Sequence, residues 1–257
     1  MAKINQSEEN FKTSPLGFLM SVLAKYSAFV ERSLASKPDS QLEAKNAGAK
    51  DALSNIKIEL SQNASLKNQV SNEALMMTVM ESFPKSEQDA ILDVIFEYIG
   101  ILDEVLGTAD KESENGRALV NEYYDVSRLG LILNCYLGQF DNDDFFYGTL
   151  AHVMETITAY YSENKTEEDA EKILVLCSEL VSKIEKAGID LSFDSFLKEN
   201  FETLAPEEKD IFYKKIIRPY ADSLLEKIIT KEPEEEAAGH LACVKQIQRR
   251  IEKLLIK

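Results

Sequence analysis

The chain has no tryptophan and is poor in the residues that punctuate short structural elements, with 10 glycines and 6 prolines in 257 positions. A β-sandwich or barrel needs a turn about every 8–12 residues, so this scarcity argues against both. Cys135, Cys177 and Cys243 make an odd number with no CxxC pair, which describes neither a disulfide framework nor a zinc site. A reducing compartment, and with it a soluble cytoplasmic chain, is the expectation. The most apolar stretch near the N-terminus, residues 15–24, follows Glu8 and Glu9 and is stopped by Lys25. It is well short of the ~20 residues a spanning helix needs, and it lacks the basic start and small-residue cleavage site of a signal peptide. No transmembrane segment is expected.

Acid outweighs base, with 45 Asp+Glu against 29 Lys+Arg and a formal net charge of −16. The excess lies in the middle: residues 51–200 hold 29 acidic and 11 basic groups, whereas residues 201–257 are balanced at 11 each. Binding to phosphate backbones depends on Lys and Arg releasing counterions, so the acidic centre disfavours nucleic acid and favours a protein partner with a basic surface. The 44% hydrophobic content is enough for a continuous core.

What the chain has in abundance is apolar side chains at three- and four-residue steps, the spacing of one helix face. Ser14-Pro15 reads as a cap and first helical position ahead of Leu16, Leu19, Leu23, Tyr26, Val30 and Leu34. After Lys37-Pro38-Asp39, Ser40 and Glu43 read as a capping box before a seam of Leu42, Ala49, Leu53, Ile56 and Leu60, which is weakest where Asn46 and Gly48 fall. The pattern recurs with Ser71 before Leu75 to Phe83, with Ser86 and Asp89 before Ile91 to Leu102, and from Arg117 to Phe140. It continues through Phe146 to Tyr161, then from Thr166 and Asp169 to Ile184, with shorter elements at Phe193 to Phe201 and from Pro206 onward. Pro219 is expected to kink or split the last of these. A charged linker, Lys231 to Glu236, then precedes a final helix from Leu241 to Leu255.

The expected fold is all-α: about ten helices packed as consecutive antiparallel helical hairpins, an irregular α-solenoid or multi-helix bundle. Residues 1–13 read as a flexible N-terminus and 14–107 as N-terminal hairpins. Residues 108–116, within the polar run GTADKESENG, read as a loop or hinge. The acidic hairpin region spans 117–231, and 232–257 is a charged linker plus a basic amphipathic helix. The first hairpin is the most heptad-like, which leaves homo-oligomerisation open through that seam. Residues 129–151 have the helix, glycine, acidic turn, helix order of a tetratricopeptide hairpin. Gly138 falls one position late and Phe145-Phe146 replace the small residue after the turn, so no named repeat is assigned.

Few side chains suggest catalysis. His152 and His240 are the only histidines, and no nucleophile with an adjacent base stands out. A di-metal bundle site needs paired Glu-x-x-His motifs, and only a reversed HVME at 152–155 occurs. Asp141 to Asp144 starts like a calcium loop, but Phe145 and Phe146 occupy the fifth and sixth positions. The acidic run is better explained as a turn and helix N-terminus. No GxGxxG or phosphate loop occurs. No cofactor or metal is implied, and the balance leans away from an enzyme.

Adjacent tyrosines are the more informative feature. Tyr123-Tyr124 and Tyr160-Tyr161 each point about 100° apart on a helix, so one of each pair can face the core and the other a partner. With Glu167, Glu168 and Glu171 they define an acidic, tyrosine-edged surface, and the leading expectation is a non-catalytic helical adaptor or scaffold. An alternative is a helical-bundle enzyme or small-ligand carrier with a pocket around Tyr136, His152 and Cys177. A further alternative uses the C-terminal helix, where Lys245, Arg249, Arg250 and Lys253 flank an apolar face that could lie on anionic lipid or in a partner's groove. The glutamate-rich stretch ahead of that helix resembles the C-terminal signal of some bacterial effectors exported by type IV machinery, which implies export as an effector.

Overall fold

A computed structural model of the chain describes residues 14–63, 72–138, 143–166, 169–187, 191–230 and 235–255, and among them the backbone forms helices and no strands. The all-α expectation holds. Residues 1–13, Ser71, the linker residues 231–234, and Asp141 and Asn142 of the acidic turn lie outside the described set.

The chain divides into two compact units, Met1–Leu137 and Gly138–Lys257. The first contains α1 (Pro15–Ser36), α2 (Ser40–Gln62), α3 (Asn72–Glu81), α4 (Lys85–Thr108) and α5 (Glu114–Leu137). Helix α1 starts as its residues dictate: Pro15 needs no hydrogen-bond partner at the first position, and Ser14 Oγ accepts from the Gly17 N–H at 3.3 Å. Leu16, Leu19, Leu23, Tyr26 and Val30 are all buried. They pack on α2, where the weak turn of the seam has its own solution. Asn46 is buried, and its Oδ1 accepts from Ser27 Oγ at 2.6 Å, so the polar group that interrupts the stripe is satisfied inside the pair.

Two capping assignments differ from the sequence reading. Asp39, one residue before Ser40, caps α2, its carboxylate accepting from the Gln41 and Leu42 N–H groups at 2.9 and 3.1 Å. A carboxylate is the stronger acceptor and sits at the positive end of the helix. Helix α4 begins at Lys85 after Pro84, whose fixed φ ends the preceding chain, and no side chain caps it. Within the polar run after Gly107, residues 109–113 form the short connection from α4 to α5 inside the first unit, Thr108 ending α4 and Glu114 starting α5. There the Ser113 hydroxyl donates to the Asp110 carbonyl at 2.6 Å. Helices α4 and α5 meet closely at Gly130, where an added Cβ would lie 3.1 Å from Ile95 Cγ2.

The second unit begins with α6 (Asp143–Glu163), α7 (Ala170–Ala187) and α8 (Phe193–Glu202). A single continuous rod follows: α9 (Pro206–Ile211), a π-helical segment (Phe212–Ile217) and α10 (Arg218–Thr230). Pro219 does not split this rod. Proline cannot donate the bond that the Lys215 carbonyl would receive in an α-helix, and the ladder changes register just before it, with Arg218 N–H donating to the Tyr213 carbonyl. The extra residue in that turn absorbs the defect.

Helix α11 (Glu235–Leu255) completes the unit and packs on α6, α8, the π segment and α10. It starts earlier than the sequence pattern suggests: its first residues, Glu235 and Glu236, belong to the supposed linker. Leu241, Val244, Ile247 and Ile251 are fully buried. The last three join Phe146, Leu150, Ile173, Leu176, Phe193, Phe196 and Phe212 in one core. Phe146 and Phe193 stack at 5.2 Å, and Tyr147 meets Phe193 edge-on at 5.2 Å. No helix among the described residues is long and apolar enough to cross a membrane.

Candidate functional site

The second unit carries an open groove between α6, α10 and the start of α11. One part, about 520 Å³, is lined by His152, Thr156, Tyr160, Tyr161 and, from the rod, Lys215, Pro219, Tyr220, Ser223 and Lys227. The adjoining part, about 940 Å³, is lined by Phe145, Gly148, Thr149, Leu224, Ala237, Gly239 and His240, with Asp144 at its end. Both share His152, Tyr220 and Leu224, so they are two halves of one depression.

Helical spacing explains who faces it. Lys215, Pro219, Ser223 and Lys227 follow at four-residue steps along the rod, as do Asp144, Gly148, His152, Thr156 and Tyr160 along α6. The register change at the π segment helps set the rotation of the stripe beyond it. From Phe145 to Tyr161 the α6 wall is about 24 Å long at 1.5 Å per residue. Gly148 and Gly239 form low points: nothing lies within 4 Å of a Cβ added at either.

At the centre, His152 and His240 come together from α6 and α11, with ring centroids 5.3 Å apart and nearly perpendicular. The Tyr220 hydroxyl lies 2.9 Å from His240 Nε2. Burial pushes the Tyr220 phenol upward, and a hydrogen bond with Thr156 opposes it, so this hydroxyl stays protonated at neutral pH and serves as a hydrogen-bonding group rather than a base. Beyond Tyr161, Lys215 Nζ is 2.7 Å from Asp169 Oδ2, and Lys172 Nζ is 3.7 Å from Asp169 Oδ1. The Lys215 hydrogen bond holds the Asp169 carboxyl below its ordinary range. Asp169 takes a left-handed backbone, φ 64°, a conformation Asp tolerates better than most residues. It precedes α7, and its carbonyl accepts from the Ile173 N–H at 2.9 Å.

Tyr160 and Tyr161 form one wall with rings 5.1 Å apart and edge-on, and Tyr160 is half exposed. Among the described residues, the charged side chains lining this half are Lys215, paired with Asp169, and Lys227. Tyr123 and Tyr124 belong to the first unit, where Tyr124 is 47% exposed. The two tyrosine pairs therefore sit on separate units. Glu171 is exposed in the first turn of α7, while Glu167 and Glu168 lie outside the described residues.

Tyr136, His152 and Cys177, expected around one pocket, have different surroundings. His152 lines the groove, but Tyr136 is in the first unit with its hydroxyl 3.1 Å from Glu73 Oε1. Cys177 is in the core of the second unit, its thiol pushed up to about 11 by burial. The C-terminal helix is likewise not a strip laid on a surface. Its apolar stripe is in the core, Lys245 and Arg249 are buried, and only Lys253 of the four cations is exposed. Lys245 Nζ reaches Gln248 Oε1 at 3.2 Å and Asp222 at 3.7 Å, and Gln248 donates to Glu252 at 3.1 Å. The Arg250 guanidinium stacks 3.9 Å from the Phe146 ring centre and pairs with Asp194 at 3.1 Å. A helix with its charges partnered this way is a structural centre.

Among the described residues no group of three or more His, Cys, Asp or Glu side chains is placed to hold a metal ion. Compared with protein-family models, with curated proteins and with solved structures, the chain matches none.

Proposed function

We propose that the chain is a non-catalytic helical adaptor, and that it binds another protein in the groove of its second unit. The observation that carries this reading is the shape and lining of the groove. It is long and open, has exposed Phe145 and Tyr160 on the α6 wall with half-buried Tyr220 and Leu224 opposite, and has open space above Gly148 and Gly239 in one half. Exposed Phe145 and Tyr160 are the kind of side chain that carries binding energy at interfaces.

The test is comparative affinity purification of the wild-type chain and a Gly148→Trp variant, whose indole would occupy the open glycine half. Proteins retained by the first and lost by the second are the expected result; identical sets would count against the groove. Substituting Glu171 with Gln in parallel tests for a basic partner on the acidic face of α7.

A small-ligand carrier is the second reading, favoured by the His152, Tyr220 and His240 cluster, which offers hydrogen bonds at the groove centre. An unaltered ligand profile in a His152→Gln variant would remove it.

A further inference from the structure

Taking the groove as the docking surface, on which this step rests, we propose that its occupant is an acidic amphipathic helix. Three observations point to that class. First, the walls are helices and the described residues contain no strand whose edge could be extended, so a partner must lie in the groove rather than add to a sheet. A span of about 24 Å suits a helix of four to five turns, roughly 16 residues.

Second, the two halves differ in chemistry. Phe145, Leu224 and Ala237 make the glycine-floored half apolar, and the absence of side chains at Gly148 and Gly239 lets a helix backbone come close. The other half presents tyrosine hydroxyls, Ser223, Thr156 and lysine ammonium groups. An amphipathic helix matches this when its apolar face lies over Phe145 and Leu224 and its polar groups meet Tyr160 and the lysines.

Third, among the described residues the charged side chains of the tyrosine half are lysines. Lys215 is already paired with Asp169, Lys227 stands exposed beyond it, and Asp144 lies in the apolar half. At physiological salt, fields are screened over about 8 Å, so a carboxylate beside Lys227 responds to that ammonium more than to the distant acid. Lys227 is exposed on the groove rim, where an approaching carboxylate can reach it. An acidic ligand therefore gains by local contact.

The experiment is fluorescence anisotropy with the full chain and three labelled helical peptides of about 18 residues. All share one leucine stripe, and their polar faces are Glu/Gln, Lys/Gln or Gln alone. The acidic peptide is expected to bind about tenfold tighter than the basic one at ~0.1 M salt and to weaken severalfold by ~0.5 M. Lys227→Glu should cost the acidic peptide about fivefold. Gly148→Trp, or Gly239→Leu should the first variant misfold, should abolish binding of whichever peptide occupies the groove. If the basic or neutral peptide binds as tightly and the blocking variants still abolish it, the acidic class is overturned while the groove reading stands. If acidic-peptide binding survives both blocking variants, the groove reading falls. Absence of binding by all three peptides to the folded chain overturns the amphipathic-helix proposal.

Discussion

One substitution, glycine to alanine, should have opposite signs at two helical positions of this protein, with a third falling between. At Gly148 nothing lies within 4 Å of the new Cβ, so the only large effect is on the backbone: glycine in a helix interior is about 0.5–1 kcal/mol worse than alanine. Gly148→Ala should raise the stability of the second unit by that amount, worth about 2–6 °C in melting temperature for a unit of this size. At Gly130 the Cβ would meet Ile95 Cγ2 at 3.1 Å and Ile99 Cδ1 at 3.3 Å. There, crowding of about 1 kcal/mol offsets the gain in helix propensity, and the net change should be near zero. At Gly116 the Cβ would lie 1.9 Å from the Asp110 carbonyl oxygen and 2.9 Å from Lys111 Cα, backbone atoms that cannot rotate away. The α4–α5 turn must shift, at a cost of about 1–3 kcal/mol. Urea denaturation followed by circular dichroism ranks the three variants. Destabilisation by Gly148→Ala would show that something occupies the space assigned to the groove and would refute its description as open.

Other consequences can be checked separately. Phe193 is fully buried between Phe146, Tyr147 and Phe196, so Phe193→Ala should cost the second unit about 3–5 kcal/mol, read from its denaturant midpoint, and Phe193→Leu much less. All three cysteines are buried, and burial raises the Cys177 and Cys243 thiols, so iodoacetamide at about pH 8 should label none in the folded chain and all three in denaturant. Rapid labelling without denaturant would contradict that placement. Because the folded state holds the Asp169 carboxyl below its usual range, its ion pairs stabilise fully above the ordinary unfolded carboxylate pKa, about 3.9, and are lost as pH falls through the depressed folded value. Asp169→Asn keeps a residue tolerant of the left-handed backbone, so its stability deficit at neutral pH should vanish in acid. A deficit independent of pH would assign the effect to geometry instead.

Helix periodicity carried most of the fold. In α1 the three-and-four spacing marks the side chains that are buried, and Ser14-Pro15 marks the start, because both signals are local. Caps were less legible: Asp39 and Ser40 are both good capping residues, and only the backbone geometry distinguishes them. Pro219 flagged a defect in the right place, but its resolution as a π turn depends on the packing of Phe212, Ile216 and Ile217, which a single stretch of sequence does not encode. Lys245, Gln248, Arg249 and Glu252 lie off the apolar stripe of α11, where charge ordinarily means solvent, and their burial is a tertiary fact.

The site was legible only in part. His152, Tyr160 and Tyr161 stood out by residue type. His240 did too, as the second of two histidines, but Tyr220 did not, and the meeting of these side chains depends on how α10 and α11 fold back on α6. Gly148 left one readable trace: a glycine within an otherwise amphipathic helix lowers its propensity without a turn to justify it, which signals a close approach or an open face.

Chemical-shift mapping tests the central claim, that the groove of the second unit is a docking surface, most directly. With the acidic peptide added to isotopically labelled full chain, the account predicts that shifted amides cluster on the α6 stripe from residue 145 to 161 and on the rod from 215 to 227. Shifts confined to residues of the first unit, or spread evenly over both, would contradict it.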